Sequence, residues 1–522
     1  MNLLTDPLIP VVTALGREYR SLPALLAGLG DDSVRRIDGL QRHQEDAFYV
    51  FLCYLAGAVL AREGDWNPVR GEDFWRERLR ALAGEAGDDA WRLVVDDLTR
   101  PAFMQPPQPS VAQGEAKWSA FIEAADVIDG TELAKNHDVK RSRATHAKPY
   151  EWIYALVSGH FNAGYSKGGK SGFYYPSIKA QKNRIGRVYV RPIIANDIAA
   201  TWRVIVSALD RWMAESADTR LFNVGGIVLT WLQDWERKPF NVGEISPFFI
   251  ETTRMVRLQQ LSKDHLVACM RPTKSEPFIA QKQLQGGVPD PFIPVDADHK
   301  AIAAKAGRWP VEQMYRVVFE KEGVTWPLLG CLFDKKTING EIRISFASMA
   351  RSKKGTEGYV TSNVIIPSQR ARFFFSGSHK EKLAKLGKEA LDAANRMQKS
   401  VLYPALVKLV ESAPSIERNP RDVEKLWINK ITRRYDLLWS DLYFRWLMEV
   451  SIPLNISSER IKWIVILRDL AEKCLEKAEK ELPERSSKRW RARSIARSTF
   501  YGSLTSSKNF PDLKEARHEH TA

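Results

Sequence analysis

The chain has 522 residues, of which 44% are hydrophobic, with 16 tryptophans and a formal net charge of +15. This composition excludes a disordered chain, and so strong a basic balance calls for an anionic partner, nucleic acid rather than a membrane surface. The start, MNLLTDPLIPVV, has no signal-peptide pattern, and no uninterrupted apolar run reaches about 18 residues; a cytoplasmic protein without a spanning helix is expected.

NLLTDPLIPVV reads as a short strand interrupted by Pro7 and Pro10. Residues 44–63, QEDAFYVFLCYLAGAVLARE, are apolar on most faces and predict a buried helix. Residues 71–98 carry a helical period, and PAFMQPPQP (101–109) predicts a Pro-rich loop. Residues 131–150 are polar, basic and aperiodic, which predicts a mobile loop. Between 200 and 370, segments such as RVVF (316–319) and EIRISF (341–346) predict strands among Pro- and Gly-rich connections. After Phe375 the texture turns helical. Amphipathic segments near 378–397, 421–450, 457–481 and 484–504 predict a four-helix bundle. The expected class is α+β: a mixed domain over 1–375, then a bundle over 376–522.

Cys53, Cys269, Cys331 and Cys474 show no CxxC spacing, so neither a disulfide framework nor a metal site is expected. His137, His146 and His160 match no ligand spacing and read as exposed or locally hydrogen-bonded side chains. No cofactor is expected.

From Trp152 to Asn196 there is no Asp or Glu. Lys167, Lys170, Lys179, Lys182, Arg184, Arg187 and Arg191 alternate there with Tyr165, Phe173, Tyr174, Tyr175 and Tyr189. Within this stretch Gly164–Ser171, GYSKGGKS, satisfies the P-loop pattern. A working P-loop needs a strand before it and a helix after it. Here WIYALV (152–157) reads as a helix end, and FYYP follows at once. Three readings stand: a nucleotide-binding enzyme, an ordinary glycine-rich surface loop, or a close contact with a nucleic-acid backbone. Glycines admit main chain close to a ligand, lysines supply countercharge, and aromatics stack on bases. Arg489, Arg493 and Arg497 recur every fourth residue in the last helix, read either as a solvated face or as a track for a single strand.

Several of these segments together resemble the CasA-type large subunit of the type I-E CRISPR Cascade complex. The start NLLTDPLIPV, AFMQPP (102–107), AGYSKGGKSG (163–172) and GYVTSN (358–363) are similar to motifs of that family, as islands over most of the chain. The resemblance implies a non-catalytic subunit. Such a subunit recognises the short PAM in target double-stranded DNA, promotes duplex opening and R-loop formation, and recruits a helicase–nuclease. Guide RNA and other Cascade subunits are the implied partners. It also implies that Lys167, Gly168, Gly169 and Lys170 form the PAM loop, that Ser362 and Asn363 belong to a wedge hairpin, and that Lys274 enters the minor groove. Lys179, Lys182, Arg184, Arg489, Arg493 and Arg497 are then expected to contact the DNA backbone or the displaced strand. A P-loop enzyme and a general RNA-binding scaffold are the alternatives.

Overall fold

The computed structural model describes residues 1–118, 121–128, 146–163, 165–166, 175–180, 188–215, 221–271, 273, 275–279, 281–284, 286–302, 309–319, 323–332, 340–352, 355–374, 377–411, 427–451, 453–481, 488–506, 508–511 and 513. They form two compact units, Met1–Val364 and Ile365–Ala522. The division lies eleven residues before the change of texture seen in the sequence, inside a β-strand.

The first unit opens with β1 (Ile9–Thr13), β2 (Gly16–Arg20), α1 (Leu22–Gly30) and β3 (Arg36–Ile37), the strands ordered β2-β1-β3. β1 is the central strand and runs through Pro10, which sits at its second position, near the end where a missing N–H disturbs the ladder least. The expected buried helix is α2 (Arg42–Glu63), which ends at Gly64 in the left-handed conformation. By length and composition α2 would suffice to cross a membrane, but 89% of its most apolar window is buried inside the protein, as in a core helix. Large apolar side chains buried in this way each contribute about 1.5–3 kcal/mol. A Cβ at Gly57 would stand 3.0 Å from Leu209 and Phe248 side-chain carbons, so the glycine lets neighbouring elements close on α2.

α3 (Glu72–Leu82) and α4 (Pro149–Phe161) follow, then β4 (Tyr165–Ser166), β5 (Tyr175–Pro176) and β6 (Val188–Ile194). α5 (Ile198–Glu215) leads to β7 (Ile227–Leu229), β8 (Ile245–Ile250), β9 (Met255–Ser262) and β10 (His265–Arg271). Residues 316–319, expected as a strand, lie in α6 (Val311–Phe319). Val311, Met314, Tyr315 and Val318 fall at i, i+3, i+4 and i+7, and that periodicity outweighs the β-branched composition. β11 (Val295–Asp296) pairs with β12 (Val324–Thr325). EIRISF does form a strand, within β13 (Ile342–Ser352), which lies between β6 and β14 (Gly355–Ile366).

Beyond the last two residues of β14, the second unit has no strand among its described residues and is helical. α7 (Gly377–Arg396) continues through a π-helical stretch, Met397–Leu402, into α8 (Tyr403–Glu411). Pro404 explains the loosened turn: it lacks the N–H that would bond back to Ser400. α9 (Asn429–Glu449), α10 (Ile456–Glu481) and α11 (Lys488–Leu504) complete it. Trp463 of α10 stacks on Trp446 of α9 at 4.5 Å, and its indole N–H donates to the Ala390 carbonyl of α7 at 3.0 Å. All four cysteines are buried and unpaired, as expected of small apolar side chains; burial pushes the Cys331 and Cys474 thiols up to about 11.

Candidate nucleic-acid interface

The acid-free stretch is mounted on α2 at both ends. Upstream, Asn162 caps α4 just before Gly164; it is fully buried and donates from Nδ2 to the His43 carbonyl of α2 at 3.0 Å. Next to it, Tyr189 of β6 donates its hydroxyl to the Phe161 carbonyl at 2.5 Å. Downstream, Ser177 Oγ donates to Glu251 Oε2 at 2.8 Å, and the Ile178 N–H donates to the other oxygen of the same carboxylate.

Lys179 completes this downstream root. Its Nζ lies 2.9 Å from Asp290 Oδ2, with both side chains at 0% exposure. It donates to the Phe249 carbonyl at 3.3 Å and stands 4.2 Å from the ring centres of Tyr54 and Phe249. Tyr54, on α2, donates its hydroxyl to the same Asp290. The expectation that Lys179 contacts a DNA backbone is therefore overturned. A charge sealed in an ion pair, a carbonyl contact and two aromatic faces has no path to a phosphate. Its role is to lock the chain leaving the glycine loop.

The hairpin is tied to the same helix. Tyr359 of β14 donates its hydroxyl to Asp46 Oδ2, and Arg191 of β6 donates from Nε to Asp46 Oδ1. Arg191 also lies over the Tyr49 ring at 4.6 Å, and the His43 and Tyr359 rings meet edge-on at 6.5 Å. Burial works against a charged Asp46, but the Arg191 guanidinium and the Tyr359 hydroxyl outweigh it and hold the carboxyl below its ordinary range. Burial first, and Asp46 second, push the Tyr359 hydroxyl well above its ordinary value, so it stays a donor.

Two segments far apart in sequence thus end on one patch. Asn162 reaches α2 at His43 and Tyr359 reaches it at Asp46; three residues of helix separate these points by roughly 5 Å along the axis. Tyr54, which braces the downstream root, lies roughly 12 Å further on.

Of the residues singled out in the sequence, Lys167, Gly168, Gly169, Lys170, Lys182, Arg184 and Lys274 lie outside the described residues. Ser362 and Asn363 are on β14, half-buried and exposed respectively. They belong to the body of the strand; the connection between β13 and β14 is at 353–354, outside the described residues. Around the P-loop-like sequence, helix α4 precedes and strand β5 follows, and β5 pairs antiparallel with β4. This is not the strand–loop–helix order that phosphate cradling by a P-loop requires.

The arginine stripe of α11 turns inward to the end of α10. Arg489 and Arg493 donate to the Glu479 carbonyl at 2.9 and 2.8 Å, and Arg489 also reaches the Lys480 carbonyl at 3.0 Å. Arg497 makes two 2.8 Å bonds to the Glu479 carboxylate, which raise its already high pKa. Guanidinium groups here satisfy the free carbonyls of a helix terminus, where a cation is also favoured by the helix dipole. Part of the hydrogen-bonding capacity of these three arginines is therefore used within the unit.

His160 is buried, accepting from the Thr253 N–H at Nδ1 (2.9 Å) and facing the Met104 carbonyl from Nε2 (3.0 Å), so the proton sits on Nε2. His146 lies against His265 with ring centres 4.0 Å apart, and His137 is outside the described residues. Gln105, within AFMQPP, is fully buried and joins the Leu93 carbonyl to the Leu258 N–H. That motif is a structural knot.

No family model and no curated protein sequence matches the chain. Solved structures do. The structure of Thermus thermophilus CasA (Cse1) aligns over 97% of this chain and 99% of its own, with a TM-score of 0.63 at 12% identity. The fold is that of CasA. Cse1 from Thermobifida fusca aligns over 98% of both chains with a TM-score of 0.60 at 13% identity. The CRISPR-associated protein Cse1 from Acidimicrobium ferrooxidans gives 0.59 over 97% and 98% at 13%. Both units of the chain are thus accounted for by the CasA fold.

Sequence reasoning missed His43, Asp46, Tyr54, Asn162, Glu251, Asp290 and Tyr359. One signal was available: His43, Gln44 and Asp46 are polar residues opening an otherwise apolar helix, and buried polar groups require partners.

Proposed function

We propose that this chain is the non-catalytic large subunit of a type I-E CRISPR RNA-guided surveillance complex of the cytoplasm. It reads the PAM of double-stranded DNA with the loop at Lys167–Lys170 and the hairpin strand bearing Ser362 and Asn363. It promotes duplex opening and R-loop formation beside guide RNA and other Cascade subunits, and then recruits a helicase–nuclease. The observation that carries this reading is the convergence of the loop's upstream root and the hairpin on the first turns of α2, in a chain that follows the CasA fold from end to end.

The minor groove offers few features beyond A·T against G·C, so a close backbone and a few donors suffice to read it. Gly168 and Gly169 supply the close backbone, and Lys167 and Lys274 supply donors. Exchange of DNA pairing for RNA–DNA pairing is nearly balanced, so the protein has only to assist opening. A wedge costs a few kcal/mol per unstacked step, offset by phosphate contacts. The P-loop alternative loses support because strand β5, not a helix, follows the loop.

The test is competition in the assembled complex between duplexes that differ only in the flanking trinucleotide. Discrimination that falls in Lys167→Ala and Asn363→Ala, with assembly intact, is the expected result. Equal binding of all duplexes by the unaltered complex would refute PAM reading and favour a general RNA-binding scaffold.

A further inference from the structure

A cavity of about 380 Å³ lies where β3, α2, β6, β13 and the start of α5 meet. Arg36, Arg42, Arg191 and Arg343 line it, with Asp38 and Glu45 as its carboxylates. Three of the four cations are matched. Arg42 pairs with Glu45, Arg191 is neutralised by Asp46, and Arg36 shares Asp38 with Arg17 at 3.2 and 2.8 Å. Arg343 differs. Its Nη2 donates to the Asn196 side chain, its Nε–H is buried without a hydrogen-bond partner, and no carboxylate faces it among the described residues.

The Arg343 guanidinium thus lines the cavity without a countercharge, and an anion bound there supplies one. The position is fixed: Arg343 sits on β13, paired with Ile193 of β6, so the fork is presented by a sheet. The planar guanidinium matches the oxygens of a phosphate in bidentate fashion. The space exceeds what one phosphate fills and falls in the range of small-molecule sites. Ile37, Leu40, Ile193 and Ile198 give the remainder an apolar wall suited to a sugar and base.

We propose that this cavity binds the phosphate of a single nucleotide, with Arg343 as the anchoring cation. This proposal does not rest on the duplex-reading function and stands whether or not PAM recognition is confirmed. The phosphate comes either from a free nucleotide or from the 5′ end of a nucleic-acid strand.

Titration calorimetry on the full chain tests this with four probes: inorganic phosphate, adenosine 5′-monophosphate, and two RNA pentamers differing only in a 5′-phosphate. The monophosphate is expected to bind at one site, and Arg343→Gln to weaken it about tenfold or more, as for loss of a charge-assisted pair. Arg343→Lys is expected to fall between. Tighter binding of the phosphorylated pentamer than of its hydroxyl twin assigns the site to a strand end; binding of the monophosphate alone assigns it to free nucleotide. Should Arg343→Gln not fold, Arg42→Gln, whose side chain is 54% exposed, replaces it with a smaller expected loss. Failure of all four probes to bind the wild-type chain, or unchanged affinity in a folded Arg343→Gln or its replacement, overturns the proposal.

Discussion

Lys179→Met separates two accounts of the basic stretch, because burial and phosphate contact predict opposite readouts. In the structure Lys179 and Asp290 are both at 0% exposure and 2.9 Å apart. Removing one partner of such a pair strands the other charge and costs about 3–5 kcal/mol. The methionine recovers part of the packing against Tyr54 and Phe249 but none of the charge, so the lower half of that range, about 3 kcal/mol, is the working figure. At roughly 2 °C per kcal/mol for a large domain, the melting midpoint falls by about 6 °C. A second substitution, Asp290→Leu, removes the stranded carboxylate and is expected to recover at least half of the loss, since buried ion pairs are often replaceable by apolar ones. The assays are thermal unfolding of the full chain and the salt dependence of duplex binding by the assembled complex. Losing a phosphate contact would lower the slope of log affinity against log salt by about 0.9. A melting point within about 1 °C of wild type, together with a slope reduced by that amount, would refute the buried-lock argument.

Three further outcomes are expected. Tyr359→Phe deletes one hydrogen bond to a buried carboxylate; it should lower stability by about 1.5–3 kcal/mol and weaken duplex binding without altering complex assembly. Asp46 titrates below its ordinary value in the fold, so its ion pair stabilises fully above about pH 4 and the contribution is lost as pH falls through the lower folded value. Melting points taken between pH 7 and pH 2 should therefore show a drop below about pH 4 that is smaller in Asp46→Asn. Arg497→Gln should leave the salt slope of duplex binding unchanged and cost the helical unit about 1–3 kcal/mol in urea unfolding, because Arg497 is half exposed but the Glu479 carboxylate it leaves behind is buried.

What the sequence revealed depends on the range of the interaction. α2 and the amphipathic helices after 376 were legible because their periodicity is local. EIRISF was legible as a strand for the same reason, while the helix containing RVVF was hidden by a β-branched run whose four-residue window is too short to show a 3.6-residue period. Lys179 was misread because its partner, Asp290, arrives from a distant segment, and an acid-free stretch says nothing about acids elsewhere in the chain. The arginine stripe raised the same difficulty at short range: its periodicity was evident, but not that Glu479 lies in the last turn of the helix it faces. The roots on α2 are side-chain bonds across the fold, visible in sequence only as polar residues in an apolar helix.

The opening turns of α2 separate mounting from reading. His43 and Asp46 hold the two segments proposed to read DNA, through bonds that use none of the residues proposed for recognition. Under the proposed function, substitutions at Lys167, Gly168, Ser362 or Asn363 would retune preference for a flanking triplet while the frame stays put. On that proposal, a lineage facing new invaders would alter its vocabulary without refolding its hand.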